Sequence, residues 1–213
     1  MSNTPLPNKV NYQKKLEETL KEIAKKEEKP SLLLHSCCAP CSTYVLEYLA
    51  EKFKLTISYY NPNISPSEEY FLRAKELGHL IEEMQLSSRI DLRIAAFDNM
   101  PFFELAKGKE TEPEGGSRCV DCYRLRLAHT AALAKELQVD YFTTSLSISP
   151  HKNATLLNEI GEEQGGIFGI QYLYSDFKKK GGYLRSCELS KQYGLYRQEY
   201  CGCIFSKNNG QSR

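Results

Sequence analysis

Ser31-Leu32-Leu33-Leu34-His35-Ser36-Cys37-Cys38-Ala39-Pro40-Cys41-Ser42 decides the fold. The apolar run that opens it, entered after Pro30, has no polar alternation, so it reads as a short strand buried on both faces. Val45, Leu46, Leu49 and Ala50 then recur at helical spacing between Thr43 and Phe53. The unit is strand, thiol-bearing loop, helix. Working outward, Leu55 to Tyr60 is a second strand broken by Asn61-Pro62-Asn63, and Pro66 to Met84 a long helix with Ser65 or Ser67 as its cap. Further on come a strand from Asp91 to Phe97, a short helix near Phe102 to Lys107, and a polar loop, GKETEPEGGSR. A helix over Cys122 to Leu137, a strand from Asp140 to Leu146, a helix over Asn153 to Glu163 and a short strand at Ile170 to Tyr172 complete the series. Strands alternating with helices predict the α/β class, a parallel sheet with helices on both faces. Ligands of such sheets sit beyond the carboxyl ends of the strands, so Cys37, Cys38, Cys41 and His151 fall at the expected site.

The chain's 213 residues fit one ordinary domain with short appendages. A composition of 41% hydrophobic and 26% charged residues, with a net charge of +1, excludes fibrous, disordered and histone-like classes. No apolar run is long enough to span a membrane, and the start lacks a secretory apolar stretch, so no membrane association and a cytoplasmic location are expected. Residues 1–29 read as an N-terminal helical extension with Leu16, Leu20 and Ile23 as a thin apolar stripe. Residues 30–205 read as one catalytic domain, and 206–213 as a flexible tail.

Seven of the eight cysteines fall into three groups: Cys37-Cys38 with Cys41, Cys119-x-x-Cys122, and Cys201-Gly202-Cys203. Outside a secretory context such an excess of thiols points to metal or redox chemistry rather than to disulfide staples. A CxxC alone is equally a redox pair or two metal ligands. Structural zinc takes four ligands, and seven clustered thiols exceed that requirement. Thiolates suit iron–sulfur clusters, and the surplus leaves either bystanders or a second metal. Asp121, inside the CxxC, is either an oxygen donor at a labile metal position or a helix N-cap. Cys187 stands alone and reads as structural. His35 and His151 are candidate proton donors; His79 and His129 fall on helices and read as surface or packing residues.

The order HSCCAPC, CVDC, RQEYCGC resembles the cobalamin-independent epoxyqueuosine reductases, the QueH family, over roughly residues 31–205. The resemblance implies a Rossmann-like fold related to that of the PP-loop ATPases and nucleotide hydrolases. It also implies reduction of epoxyqueuosine to queuosine at the wobble position of tRNA, the last step of queuosine biosynthesis. A [4Fe-4S] cluster with an additional iron ion is implied, with Cys37, Cys38, Cys119, Cys122, Cys201 and Cys203 as the motif cysteines. Ser36 to Ser42 holds no glycine and no acid, so ATP chemistry at that loop is not expected. No dinucleotide loop or Walker motif is present, and electrons should come from an external low-potential donor, with ferredoxin or flavodoxin as candidates. Asp121, His35 and His151 are then the candidate acids. Two rivals remain: another metal- or thiol-dependent tRNA modification enzyme, and a zinc-stabilised nucleic-acid-binding domain.

Charge is uneven. Residues 178–213 carry eight basic and two acidic residues, interleaved with Tyr183, Tyr193, Tyr196 and Tyr200. Such a mixture suits a phosphate backbone with bases beside it, although it is equally a solvated basic surface. Lys178, Lys179, Lys180, Arg185 and Arg197 are the candidate tRNA-positioning residues. Arg197 and Gln198, next to the CGC motif, are the candidates for the modified nucleoside itself.

Overall fold

A computed structural model describes residues 10–208. Strands β1 (Ser31–His35), β2 (Lys54–Tyr59), β3 (Ile90–Ile94), β4 (Tyr141–Thr144) and β5 (Gln171–Tyr172) form a parallel sheet in the order β3-β2-β1-β4-β5. The apolar run thus lies at the centre, with Leu33 opposite Thr56 on one side and Phe142 on the other. Connecting and flanking helices are α1 (Tyr12–Ile23), α2 (Ala39–Leu49), α3 (Ser67–Glu83), α4 (Met100–Ala106), α5 (Ser117–Glu136), α6 (Ala154–Phe168), α7 (Gly182–Gln192) and α8 (Ile204–Asn208).

Alternation along β1 sends its leucines to opposite faces. Leu32 and Leu34 pack in one core with Leu16, Val45, Leu46, Leu49, Leu77 and Leu80, which come from α1, α2 and α3. Leu33 packs in the other with Ala131, Ala134 and Phe142, beneath α5. All three leucines are fully buried, and each such burial contributes roughly 1.5–3 kcal/mol. The apolar stripe of the N-terminal extension is buried as the sequence suggested, since Leu16, Leu20 and Ile23 all face the sheet's core.

Some boundaries differ from expectation, each for a local reason. The helix expected from Cys122 begins at Ser117, because the Glu112 carboxylate accepts from Arg118 N–H at 2.7 Å and Ser117 Oγ at 2.6 Å. Cys119 therefore lies inside α5. The helix expected to stop at Glu163 runs through Gly165 and Gly166 to Phe168. Gly165 lies close against the Ile170 carbonyl, where a Cβ has no room, and the helix ends at Gly169 in the left-handed region. The fourth strand stops at Thr144, and a 3₁₀ turn over Ser145–Ile148 replaces its expected end. The basic segment, for which no helix was expected, contains α7. The start of the expected tail is helical in α8, and the rest of it lies outside the described residues.

Candidate metal centre

β1 and β4 are neighbours from which the chain winds in opposite directions, so their carboxyl ends form the switch point of the sheet. The loop after β1 turns there. Ser36 and Ser42 hydroxyls meet at 2.6 Å, Ser42 Oγ donates to the Cys38 carbonyl, and Pro40 occupies the first turn of α2. These contacts aim the sulfurs of Cys37, Cys38 and Cys41 at one another, all within 4.8 Å. Ser145 fixes the trio from the β4 side, accepting from Cys37 N–H at 3.3 Å, with its hydroxyl 3.6 Å from the Cys37 sulfur.

Three thiols so close cannot ionise together. The Cys38 thiol is held well below the ordinary range, chiefly by hydrogen bonds from Cys37 and then Cys41, with Arg73 adding to the effect. Cys41 is correspondingly pushed up. Bringing the three sulfurs together therefore favours deprotonation at Cys38 and opposes it at Cys37 and Cys41.

The other two cysteine groups meet beside this trio. Cys119 and Cys122 are three residues apart on α5 and share a helix face. Cys122 and Cys203 pack in one cluster with Phe102, and Cys201 borders it. Burial pushes the Cys122 thiol up to about 12 against the pull of Arg126, and burial also raises Cys119 and Cys203. Cys201 is the link between the groups, because it lines the same small cavity, about 40 Å³, as Cys37, Cys38 and Cys41.

Cations surround these sulfurs. Arg73, Arg126 and Lys152 line the thiol cavity and are all buried. Arg126 donates to Asn61 Oδ1 at 2.5 Å and to His35 Nε2 at 3.3 Å. Arg73 pairs with Glu69 at 2.7 Å and donates to the carbonyls of Cys201 and Tyr200. Lys152 reaches Glu114 at 3.1 Å and the Cys201 sulfur at 3.2 Å. Buried cations need anionic partners, and thiolates supply them. The donor set therefore fits a thiophilic metal or cluster bearing net negative charge.

The three candidate acids are placed very differently. His35 is fully buried behind the thiol loop, with Nδ1 2.8 Å from Thr144 Oγ1 and Nε2 beside Arg126 and the Tyr60 carbonyl. Burial and then Arg126 lower it to about 3, so the ring is neutral and holds the strand end in place. Asp121 lies on a different face of α5 from the two cysteines. It is paired with Lys109 and with Arg124 and does not line the thiol cavity. His151 is the most exposed of the three. It lines an outer cavity of about 270 Å³ with Tyr183, Arg197, Gln198 and Glu199. Cys41, Ser149 and Gln198 are common to both cavities, and Gln198 Oε1 is a buried acceptor with no partner among the described residues.

The basic residues divide as well. Arg197 and Gln198 belong to the outer cavity. Arg185 is bound to Glu47 at 2.6 Å and to Glu188 at 3.3 Å. Lys178, Lys179 and Lys180 line a third cavity of about 780 Å³ with the first turns of α1 and α6. Lys178 and Lys180 are paired there with Asp176 and Glu17. Cys187, on α7, is outside the thiol groups.

The motif sequence did not single out Arg73, Arg126, Lys152 or Ser145. Arginine and lysine within otherwise ordinary helix and loop sequence carry no sign of burial. The only signal was the demand of several clustered thiolates for countercharge.

A parallel α/β sheet with a three-cysteine metal-binding group at its switch point defines a metalloprotein of the thiolate type. The chain belongs to the QueH family: the family model described as "Epoxyqueuosine reductase QueH" matches residues 32–209. Proteins named epoxyqueuosine reductase QueH from Streptococcus pyogenes serotype M1 and Staphylococcus epidermidis are 41% and 42% identical to it. Those alignments span 94% and 93% of the chain and 80% and 85% of the relatives. The one from Thermotoga maritima is 32% identical over 83% of the chain and 90% of its own length. Membership makes the chain an oxidoreductase. Among the described residues no helix is long and apolar enough to cross a membrane.

Proposed function

We propose that the protein reduces epoxyqueuosine to queuosine at the wobble position of tRNA, the last step of queuosine biosynthesis, in the cytoplasm. The carrying observation is the meeting of Cys37, Cys38, Cys41 and Cys201 at one cavity, with Cys119 packed in the cluster that Cys37 borders and Cys122 and Cys203 in the one that Cys201 borders, in a chain of this family. These residues would hold a [4Fe-4S] cluster and an additional iron. When bound, that group supplies electrons singly from an external low-potential donor, a ferredoxin or flavodoxin, and a Lewis acid for the epoxide oxygen. The reaction consumes two electrons and two protons and yields an alkene and water.

The chain's own residues do the rest. The outer cavity takes the modified nucleoside, with Tyr183 offering a ring face and the unpartnered Gln198 Oε1 accepting from a donor of the substrate. His151 delivers a proton from the outer side. Arg197 and the lysines over 178–180 contact phosphates. The proposed relation to the PP-loop fold is supported by the parallel sheet and by Ser36 to Ser42, which follow the central strand where a phosphate loop would lie.

The test is anaerobic. Protein with iron, sulfide and a visible charge-transfer band is supplied with a chemical reductant and epoxyqueuosine-containing tRNA, without cobalamin, and the nucleoside is followed by mass. Conversion supports the proposal. A colourless protein containing only zinc overturns the cofactor, and failure to convert with a proven, reducible cluster overturns the reaction.

A further inference from the structure

Lys152 has no place in the chemistry derived so far, yet it is among the most constrained cations of the molecule. It follows the 3₁₀ turn after β4, where its N–H bonds the Ser149 carbonyl at 3.2 Å. Its side chain is 4% exposed. The residue lines both the thiol cavity and the basic cavity. Among the described residues it meets Glu114 Oε1 at 3.1 Å and the Cys201 sulfur at 3.2 Å. The Tyr123 ring lies 5.7 Å from Nζ.

A lysine that needed only a counterion would find one more cheaply at the surface, where desolvation is small. Here the chain buries the ammonium and directs an N–H at sulfur. The sulfur is itself fixed from the other side, because Arg73 Nη1 donates to the Cys201 carbonyl at 3.3 Å. The contact therefore does not depend on a mobile side chain finding its partner.

We propose that Lys152 is a positioning residue that tunes the metal centre: its N–H···S hydrogen bond to Cys201 stabilises the reduced state and raises the reduction potential. The proposal rests on Cys201 serving as a ligand of the group assigned under the proposed function. Adding an electron makes the centre more negative, and a fixed positive charge about 3 Å from a ligand sulfur in a dry site favours that state. Hydrogen bonds to cluster sulfurs and net charge are the main protein levers on such potentials. Glu114 opposes the effect by drawing part of the ammonium's charge toward itself. Lys152 is a setting of the site, and Glu114 its counterweight.

The experiment is an anaerobic potentiometric titration of iron-loaded protein, read by visible absorption, after iron and sulfide content have been measured for each variant. Lys152→Met, which keeps the length and removes the charge and donor, should lower the reduction equilibrium constant at least tenfold, 59 mV for one electron. Lys152→Arg, which keeps both, should restore most of the potential. Glu114→Gln should shift it the opposite way from Lys152→Met. A Lys152→Met protein with full iron content and the wild-type potential overturns the proposal. Should Lys152→Met fail to fold or load, Glu114→Gln decides, and an unchanged potential there overturns it. A wild-type protein that takes up no iron is a different failure: it overturns the cofactor assignment before any potential is measured.

Discussion

The two ends of the thiol site are built by different means. Cys37, Cys38 and Cys41 sit on five consecutive positions between a central strand and its helix, and the turn itself aims them at one point. Cys201 and Cys203 lie in an irregular segment before α8, and other elements must hold it. Ser65 N–H donates to the Gly202 carbonyl at 3.0 Å, Arg73 to the carbonyls of Tyr200 and Cys201, and Lys152 to the Cys201 sulfur. The first end is organised by local sequence. The second is clamped from α3 and from the loop after β4, so its geometry depends on residues far away in the chain.

The comparison is tested most severely at the sulfurs. Replacing Cys122 or Cys201 by serine should remove most of the iron, because a hydroxyl is a poor substitute for a soft thiolate. Iron content and spectrum unchanged in both variants would mean that the C-terminal motif and α5 are bystanders. The clamp comes next. Arg73→Met removes the buried guanidinium and leaves the partly buried Glu69 without its partner, at a cost of up to about 3 kcal/mol in urea unfolding of the metal-free protein. The same variant should load less iron, since the Cys201 and Tyr200 carbonyls lose their donor. Destabilisation with normal iron loading would show that the second end assembles without the clamp.

Much of this was open to the sequence and some was not. The apolar run, the alternation of strands and helices, and the three cysteine groups identify the sheet, its edge and the thiols gathered there, because each is encoded within a few residues. The sequence did not encode what crosses the chain. Cys41 is the clearest case at the site: it is not among the six motif cysteines, yet it stands in the structure as one corner of the trio. Asp121 shows the converse. Its position between two cysteines suggests metal or proton chemistry, and what the sequence does not show is that helical geometry turns it toward Lys109 and Arg124. His35 also lay next to the cysteines, and the strand carries its ring inward to a neutral, fully buried position.

A smaller effect sharpens the contrast at one residue. Gly202 has φ +96°, and a Cβ there would lie 2.8 Å from Ile64 Cγ1 and 3.0 Å from Arg73 Nη1. Gly202→Ala should therefore cost about 1–3 kcal/mol through backbone strain and crowding of the clamp. No comparable glycine lies in the β1–α2 loop, which reaches its geometry with ordinary residues. If Gly202→Ala is neutral in urea unfolding, the C-terminal turn is pliant and the clamp sets its form loosely.

The smallest expected effect concerns the basic segment, and it separates charge that is free to meet phosphate from charge already used. Lys178 is 2.8 Å from Asp176, and Lys180 is 2.5 Å from Glu17, whereas Lys179 has no ion pair among the described residues. Each phosphate contact made by a lysine releases counterions, so its removal should lower the slope of log affinity against log salt by about 0.7–0.9. Lys179→Ala should show nearly that full change in tRNA binding. Lys178→Ala and Lys180→Ala should each show less, because a lysine already neutralised by a carboxylate releases fewer counterions when it meets a phosphate. All three variants should keep the visible spectrum of the wild type, since the lysines line a cavity that contains none of the thiols. Equal slopes for all four proteins would place the nucleic acid elsewhere, with Arg197 and the outer cavity as the remaining point of contact. A larger change for Lys180→Ala than for Lys179→Ala would mean that tRNA displaces Glu17 and that the N-terminal helix moves when substrate arrives.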